Sequence, residues 1–284
     1  MRRLIVNADD FGLTRGVNRA IIEAHTRGIV TSTTLMANSA SFDNAVELAR
    51  AHPTLSVGCH LMFVDGGPLL PAGEVDSLIK SEGKFYQGIG SFALRALRGK
   101  LDAAQIEAEA FAQIRKLQDA GIEVSHVDSH KHTHLFPAVL QPVLRAVQRC
   151  GVRAIRNPFG RVAFRMIARR PELWKRYGQM GALNLLSGKF ARTVAKAGMV
   201  TTDGSLGVAA TGGLDDELFR LMIESLPEGT WEFVSHPGYN DADLDGIQTR
   251  LRESREVELE LLTSDGTQEF ITSEKIDKIS FRNL

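Results

Sequence analysis

The stretch RLIVNADDFGLTRGVNRAIIEAHTRGIVTSTTLMAN, residues 3–38, decides the fold class. It begins with RLIVNA, a β-branched and apolar run that predicts a buried strand. The segment after it places Val17, Ile21 and Ala24 at helical spacing, and Gly28 suits the position just past a helix end. The run IVTSTTLMAN then predicts a second strand. A strand, a helix and a strand in this order predict a right-handed βαβ unit with parallel strands.

The same alternation continues along most of the 284 residues. Further strands are predicted in LSVGCHL, IEVSHV, VRAIRNP and TWEFVSHPG, and further helices in FDNAVELARAHP, PAVLQPVLRAVQRCG and TRLRESREVELELLT. We therefore predict one α/β domain, residues 1–284, folded as a single-domain (β/α) barrel that is irregular or incomplete. An open doubly wound sheet is the alternative, although no GxGxxG motif follows the first strand to indicate a dinucleotide site.

A basic stretch, residues 161–200, interrupts this alternation. It contains nine Lys or Arg residues and one acid, Glu172, with Trp174, Tyr177 and Phe190 among them. We predict a helical insertion near 160–200. Its basic face is either solvated or a surface that meets anionic lipid or an amphiphilic substrate.

Charge and composition exclude several classes of protein. The formal net charge is zero, so the overall balance does not indicate nucleic-acid binding. The apolar run at the N-terminus reaches Asp9 too soon for a signal peptide or a membrane span. Two cysteines, Cys59 and Cys150, make no disulfide framework. We therefore expect a cytoplasmic protein.

Polar side chains of types that ligate metals or transfer protons lie at the carboxyl ends of four predicted strands. Parallel α/β folds place their active sites at that edge of the sheet, so these residues are expected to share one site. The four groups are Asp9 and Asp10 in VNADDFG, His60 in VGCHL, Asp128 and His130 in HVDSHKHTH, and His236 in FVSHPGYND.

These residue types indicate a catalytic metal centre. Carboxylate and imidazole ligands suit zinc and similar divalent ions, and Asp10, His60 and His130 provide three ligands from three strands. Asp9 is placed to act as the base, and His236 as the acid that protonates a leaving group. Asp9 and Asp10 point to opposite faces of a regular strand, so both reach the site only if the chain turns there.

The cluster HVDSHKHTHLF, residues 126–136, cannot bring all its side chains to one ion, so the strand must break near His130. Asp128 is predicted to orient a ligating histidine, since such a ring usually gives its other N–H to a carboxylate. His132 and His134 are predicted to lie in the second shell or to bind substrate. His126 is expected to be structural.

The motifs IVNADDFGLTRGVN, GIVTSTTLM, SVGCHL, HVDSHKHTHLFP and SHPGYNDADL, in this order, resemble the YdjC-like carbohydrate deacetylases, the ChbG/HpnK family. The resemblance runs from residue 4 to about 265 and leaves residues 161–200 unmatched. It implies a (β/α)-barrel-like fold, a divalent metal (Mg²⁺ or Zn²⁺) and hydrolytic removal of acetyl from an N-acetylated amino sugar. Position by position, it implies the same ligands, Asp10, His60 and His130, the base Asp9 and the acid His236.

The resemblance also bears on the substrate. Family members often have three consecutive histidines after Asp-Ser, and Lys131 takes the middle place here, on the face opposite His130 if the strand is extended. One branch of the family deacetylates chito-oligosaccharides, and the other is associated with hopanoid lipids. HKHTHL, VDGGPLLP and TGGL resemble the second, which implies a glycolipid substrate such as an N-acetylglucosaminyl hopanoid. The basic and aromatic composition of residues 161–200 fits such a substrate, and we expect peripheral contact of this segment with the inner membrane face. The oligomeric state is not determined by the sequence, and a homodimer stays open.

Three other functions fit parts of the pattern. A metal-dependent phosphoesterase on a similar barrel would need more bridging carboxylates than the strand ends supply. A non-haem iron oxygenase uses two histidines and a carboxylate but usually a largely β-stranded fold. A catalytically dead sugar- or lipid-binding protein would not need the full Asp–Asp–His–His–His set.

Overall fold

The strands form one parallel sheet. A computed structural model describes residues 1–80, 82–160, 168–170 and 173–284. Its eight strands pair in the order β5-β4-β3-β2-β1-β7-β6, with β8 also against β1, and every pairing is parallel. The strands are β1 Arg2–Phe11, β2 Ser32–Leu35, β3 Ser56–Leu61, β4 His126–Ser129, β5 Ala154–Ile155, β6 Gly204–Leu206, β7 Gly229–Ser235 and β8 Asp277–Ile279.

Helices connect the strands and surround the curled sheet, so the predicted (β/α) barrel is confirmed in the form of a half-barrel. The helices are α1 Arg15–Thr26, α2 Phe42–Ala51, α3 Gly88–Leu97, α4 Ala103–Asp119, α5 Pro137–Arg149, α6 Trp174–Leu183, α7 Ser187–Lys196, α8 Asp216–Glu224, α9 Ala242–Asp245, α10 Glu253–Thr263 and α11 Asp265–Ser273. The predicted βαβ unit is β1, α1 and β2. Its helix begins where the Thr14 hydroxyl accepts the Val17 N–H, a cap that satisfies a free donor of the first turn.

Strand β1 is the centre of the sheet because it pairs with three others. It lies against β7 from Arg2 to Ala8, against β8 near its start, and against β2 near its end. Its apolar side chains Leu4, Ile5 and Val6 are completely buried. Burial of such side chains stabilises a fold by roughly 1.5–3 kcal/mol each, which explains why this apolar run forms the central strand.

The described part of the basic stretch contains the helices α6 and α7; residues 161–167 and 171–172 lie outside the described residues. Arg169 and Arg170 contact the Glu217 carboxylate, and Arg170 also pairs with Asp215. These two cations are therefore partly neutralised by the chain itself. Trp174 and Leu185 are 63% and 85% exposed. In the part of the chain that the structure describes, no helix combines the length and hydropathy needed to cross a bilayer.

Candidate metal centre and active site

A cleft of about 420 Å³ opens at the carboxyl ends of the strands. Asp9, Asp10, His60, His130 and His236 all line it, although up to 227 residues separate them in the chain. The structure thus brings together the side chains that the strand ends single out. The roles assigned to them stay predictions.

The two adjacent aspartates reach the same cleft because β1 is irregular at its end. The pairing of β1 with β2 shifts register between Ala8 and Phe11, and Asp10 has a left-handed backbone with φ 69°. A non-glycine residue rarely adopts this conformation, and such strain is typical of functional sites. The turn lies at Asp10 itself, one residue earlier than the Phe11–Gly12 pair that the sequence singles out.

Asp10, His60 and His130 converge on one point in the cleft. Asp10 Oδ1 lies 3.7 Å from His60 Nε2 and 3.5 Å from His130 Nδ1. One potential ligand atom from each residue lies within 4.8 Å of the others. Asp10 Oδ1 is buried and has no hydrogen-bond partner among the described residues. A buried carboxylate oxygen without a partner, faced by two imidazole nitrogens, fits a divalent cation.

Asp128 contacts the second nitrogen of His60, the histidine that it is in position to orient. His60 Nδ1 lies 2.7 Å from Asp128 Oδ1, and the Thr34 hydroxyl donates to Asp128 Oδ2 at 3.3 Å. Burial opposes the charge on His60, but Asp128, Asp9 and Asp10 together raise its pKa to about 9. The surroundings of His60 therefore favour a positive charge at this position.

A buried arginine that the sequence analysis missed holds Asp9. Arg156 follows β5 directly and donates to Asp9 through Nη1 at 2.8 Å and Nη2 at 2.7 Å. It also pairs with Asp128 and donates to Glu232 Oε1 at 2.9 and 2.6 Å. Burial opposes the charge on Asp9, but the neighbouring cations, Arg156 foremost, lower its pKa far below the usual range. Arg156 thus keeps Asp9 ionised and fixes its orientation.

Helix α10 supports the other side of the site. Arg255 Nη2 donates to Asp10 Oδ2 at 2.6 Å, which leaves Asp10 Oδ1 to face the histidines. Glu258 accepts the His236 backbone N–H at 2.6 Å and lies 4.0 Å from His236 Nδ1. Burial raises the pKa of Glu258 to about 7 and lowers that of His236 to about 4. The His236 ring is therefore neutral at pH 7, and its Nε2 lies 3.9 Å from Asp9 Oδ2.

The histidines of the cluster lie in two places: His130 and His132 line the cleft, whereas His126 and His134 do not. The chain changes direction after β4, which ends at Ser129. Lys131 and His132 both have left-handed backbones with φ 53°, and both line the cleft with His130. The expectation that Lys131 lies opposite His130 is therefore wrong, because the chain is not extended there. Lys131 instead pairs with Asp65, which also lines the cleft.

His134 and His126 lie away from the cleft. His134 is buried, with Nδ1 2.6 Å from the Ser129 hydroxyl and Nε2 3.2 Å from the Arg156 carbonyl oxygen. It therefore braces the backbone of Arg156, and this buried position favours a supporting role behind the cleft over direct contact with substrate. His126 stacks on Phe281 with ring centroids 3.5 Å apart. Burial lowers the pKa of both rings, so both are neutral in the fold.

Comparison with known proteins identifies the family. The fold and the site define the class of the protein: a parallel α/β half-barrel with a metal-compatible Asp–His–His group at its carboxyl edge. The sequence profile of the family described as YdjC-like protein matches residues 3–273, and the chain belongs to that family. A carbohydrate deacetylase of Brevibacillus brevis is 34% identical over 284 residues, with 99% of each chain covered. Another, of Listeria monocytogenes, is 31% identical, covering 99% of this chain and 100% of the relative.

Solved structures agree on the fold. An Enterococcus faecalis protein, described provisionally as a cellobiose-phosphate cleavage protein, superimposes with a TM-score of 0.78 at 27% identity over 99% of this chain and 98% of the other. A lactam utilization protein from Thermus thermophilus has a TM-score of 0.53 at 14% identity, covering 98% and 99% of the two chains, and shows the likeness of the fold alone.

Proposed function

We propose that this protein is a divalent-metal-dependent carbohydrate deacetylase that hydrolyses the N-acetyl group of an amino sugar. The convergence of Asp10 Oδ1, His60 Nε2 and His130 Nδ1 in the cleft carries the proposal. The full-length likeness to proteins named carbohydrate deacetylases supports it. Asp10, His60 and His130 would hold the ion, which is Mg²⁺ or Zn²⁺.

A divalent ion bound there supplies Lewis acidity, which polarises the acetyl carbonyl and lowers the pKa of a coordinated water. Asp9 takes a proton from the attacking water, because Arg156 keeps its carboxylate ionised and aimed into the cleft. Asp128 fixes the His60 ring through Nδ1, and Arg255 fixes Asp10 through Oδ2. These contacts hold the reacting groups before the substrate arrives.

The leaving amine needs a proton, and His236 supplies it. The ring is neutral at pH 7, so it must gain a proton before it donates one. Asp9 Oδ2 lies 3.9 Å from His236 Nε2, so the proton that Asp9 takes from water is available to the ring. The water oxygen ends in acetate, the C–N bond breaks, and the proton ends on the free amino sugar.

The proposed substrate follows from the sequence resemblance. It is an N-acetylglucosaminyl glycolipid, such as an N-acetylglucosaminyl hopanoid, and the alternative substrate is a chito-oligosaccharide. The exposed side chains of Trp174 and Leu185 on the basic stretch favour an amphiphilic substrate.

The experiment is acetate release by the purified protein, with the glycolipid and a chito-oligosaccharide offered in parallel. We expect acetate with at least one of them, and loss of turnover when the protein is stripped of metal and recovery when Mg²⁺ or Zn²⁺ is restored. Full turnover in metal-free protein contradicts the metal requirement. Sugar binding without acetate release favours the dead-site alternative, and release of phosphate from phosphate esters favours the phosphoesterase.

A further inference from the structure

The segment between β3 and α3 brings a further carboxylate, that of Asp65, to the cleft. Asp65 Oδ2 lies 3.8 Å from His130 Nε2. The other ring nitrogen of His130, Nδ1, faces Asp10 Oδ1 at 3.5 Å. The His130 ring therefore has one carboxylate on the side where the ion would bind and a second carboxylate behind it.

The other histidine of the centre has the same arrangement. His60 directs Nε2 toward Asp10 and Nδ1 toward Asp128. A metal-ligating imidazole usually donates its second N–H to a carboxylate, which fixes the ring and makes the coordinating nitrogen a stronger ligand. The distance from Asp65 to His130 is longer than a hydrogen bond, and such contacts often tighten when an active site is filled. Asp65 thus occupies for His130 the place that Asp128 occupies for His60.

Hydrogen bonds to both sides of Asp65 fix its position. Its backbone is left-handed, with φ 61°, which is uncommon for a residue other than glycine. Asp65 Oδ1 accepts the Gly88 N–H at the start of α3 at 2.7 Å, and the Asp65 N–H donates to the Tyr86 carbonyl oxygen at 3.2 Å. Because Oδ1 is bound in this way, Oδ2 is the oxygen that faces His130.

Helix α4 anchors the chain on either side of Asp65. The Glu109 carboxylate accepts the backbone N–H groups of Leu69 at 2.9 Å and Leu70 at 3.1 Å. The Gln113 amide binds both the N–H and the carbonyl oxygen of Met62, each at 2.8 Å. Both α4 side chains are completely buried. The segment is therefore held at two fixed points, and Asp65 lies between them.

Lys131 competes with His130 for the same oxygen, because it forms an ion pair with Asp65 Oδ2. We propose that Asp65 is a positioning residue that orients His130 for metal binding, and that Lys131 weakens this action by drawing on the same carboxylate. The inference rests on the proposed metal centre and adds to it the residues that set its affinity for the ion.

The inference is tested by titrating Zn²⁺ into metal-stripped protein in a calorimeter, without substrate, so that a lost sugar contact cannot affect the result. We expect Asp65→Asn to bind Zn²⁺ about 10–100-fold more weakly than wild type, the usual effect of losing such a carboxylate. Asparagine still accepts the Gly88 N–H, so the midpoint of urea unfolding of the metal-free protein should not change. Asp76→Asn, at an exposed aspartate of the same segment, is the matched control and should bind Zn²⁺ as wild type does. Equal affinities of Asp65→Asn and wild type overturn the inference.

Lys131→Met separates a positioning role from a purely structural ion pair. It removes the competing cation, so we expect Zn²⁺ to bind this variant more tightly than wild type. Weaker binding in both single variants means that the pair only maintains the shape of the cleft, which contradicts the inference. In the double variant the gain from Lys131→Met should disappear, because Lys131 acts through Asp65. Additive effects mean that the two charges act on the ion independently, which contradicts it as well.

The visible absorption of Co²⁺-loaded protein reports the arrangement of the ligands. A spectrum that changes in Asp65→Asn and not in Asp76→Asn supports the reorientation of His130. Weaker binding with an unchanged spectrum assigns the effect to charge alone and overturns the positioning role. If wild type and Asp10→Asn bind Zn²⁺ equally, the metal centre is wrong and this inference with it, whereas an unaffected Asp65→Asn contradicts this inference alone.

Discussion

Asp9 and Asp10 are adjacent in the sequence, yet each is held by a different buried arginine. Arg156 donates to both oxygens of Asp9, whereas Arg255 donates to one oxygen of Asp10 and leaves the other free in the cleft. A carboxylate with both oxygens bound by an arginine is suited to hold its charge and orientation. A carboxylate with one free buried oxygen is suited to bind a cation. The two neighbours are thus prepared for different tasks.

Asp10→Asn tests the metal site. The amide still accepts a hydrogen bond from Arg255, but it removes the charge that a cation needs. We expect the metal content to fall well below one ion per chain and acetate release to drop more than about 100-fold, beyond the loss typical of residues behind the ligands. Metal is measured by mass spectrometry of the dialysed protein. Asp243→Asn, at an exposed aspartate of α9, is the control and keeps both metal and activity.

Asp9→Asn tests the base. The variant keeps the shape of the side chain, and Asp128 and Glu232 still neutralise Arg156. We expect the metal content to be unchanged and kcat to fall by about 10²–10⁴, the usual contribution of a positioned acid or base. Unchanged turnover would assign the base to another group. Loss of metal together with activity would show that Asp9 is a ligand.

The sequence predicts the cleft residues well because the signal is local. A polar residue at the end of an apolar strand is visible within a few positions, and the parallel sheet brings Asp10, His60, His130 and His236 to one edge. The sequence predicts only that the chain turns near the two aspartates. It does not predict the left-handed backbone of Asp10, because that conformation depends on the irregular pairing of β1 with β2.

The buried arginines could not be predicted in the same way. Arg255 lies in a helix whose sequence is rich in charged residues, which is typical of an exposed helix, and its partner Asp10 is 245 positions away. Arg156 lies at the carboxyl end of the predicted strand in VRAIRNP, but arginine is mostly exposed in folded proteins, so its position alone does not indicate a buried cation. A buried cation is recognised only once its distant carboxylates are known.

Arg156→Met tests the stability of this buried network. The change leaves Asp9, Asp128 and Glu232 buried without their shared cation. Breaking a buried pair costs about 3–5 kcal/mol, so we expect the free energy of unfolding in urea to fall by that amount. Arg145→Met is the control, since Arg145 is 47% exposed and pairs with Glu107 at the surface, where ion pairs contribute about 0–1 kcal/mol. Equal losses in the two variants would contradict a special role for Arg156.

Membrane contact by the basic stretch is tested with vesicles. Arg169, Arg170 and Arg176 contact groups of the protein itself, so the exposed cations Lys175, Lys189 and Arg192 are the better targets. Each cation near an anionic surface contributes about 1 kcal/mol, so reversing all three should abolish co-sedimentation with phosphatidylglycerol vesicles at low salt. Reversal of the exposed cations Arg98, Lys100 and Arg115 is the control. The proposed lipid contact is contradicted if wild-type protein does not co-sediment with these vesicles.

Glu232→Gln tests the cost of a buried carboxyl group through its dependence on pH. Burial, only partly offset by Arg156, raises the pKa of Glu232 from 4.5 to about 7. The folded protein therefore binds this proton more tightly than the unfolded chain, so the stabilisation it gives is complete below pH 4.5 and is lost as the pH rises through about 7.

The variant removes this dependence because glutamine cannot titrate. The free energy of unfolding of wild type minus that of the variant should thus decrease from about pH 5 to about pH 7.5 and then level off. Urea unfolding at each pH measures it, with Glu224→Gln, at an exposed glutamate of α8, as the control for the same substitution at the surface. A difference that rises with pH would mean that Arg156 outweighs burial and keeps Glu232 ionised.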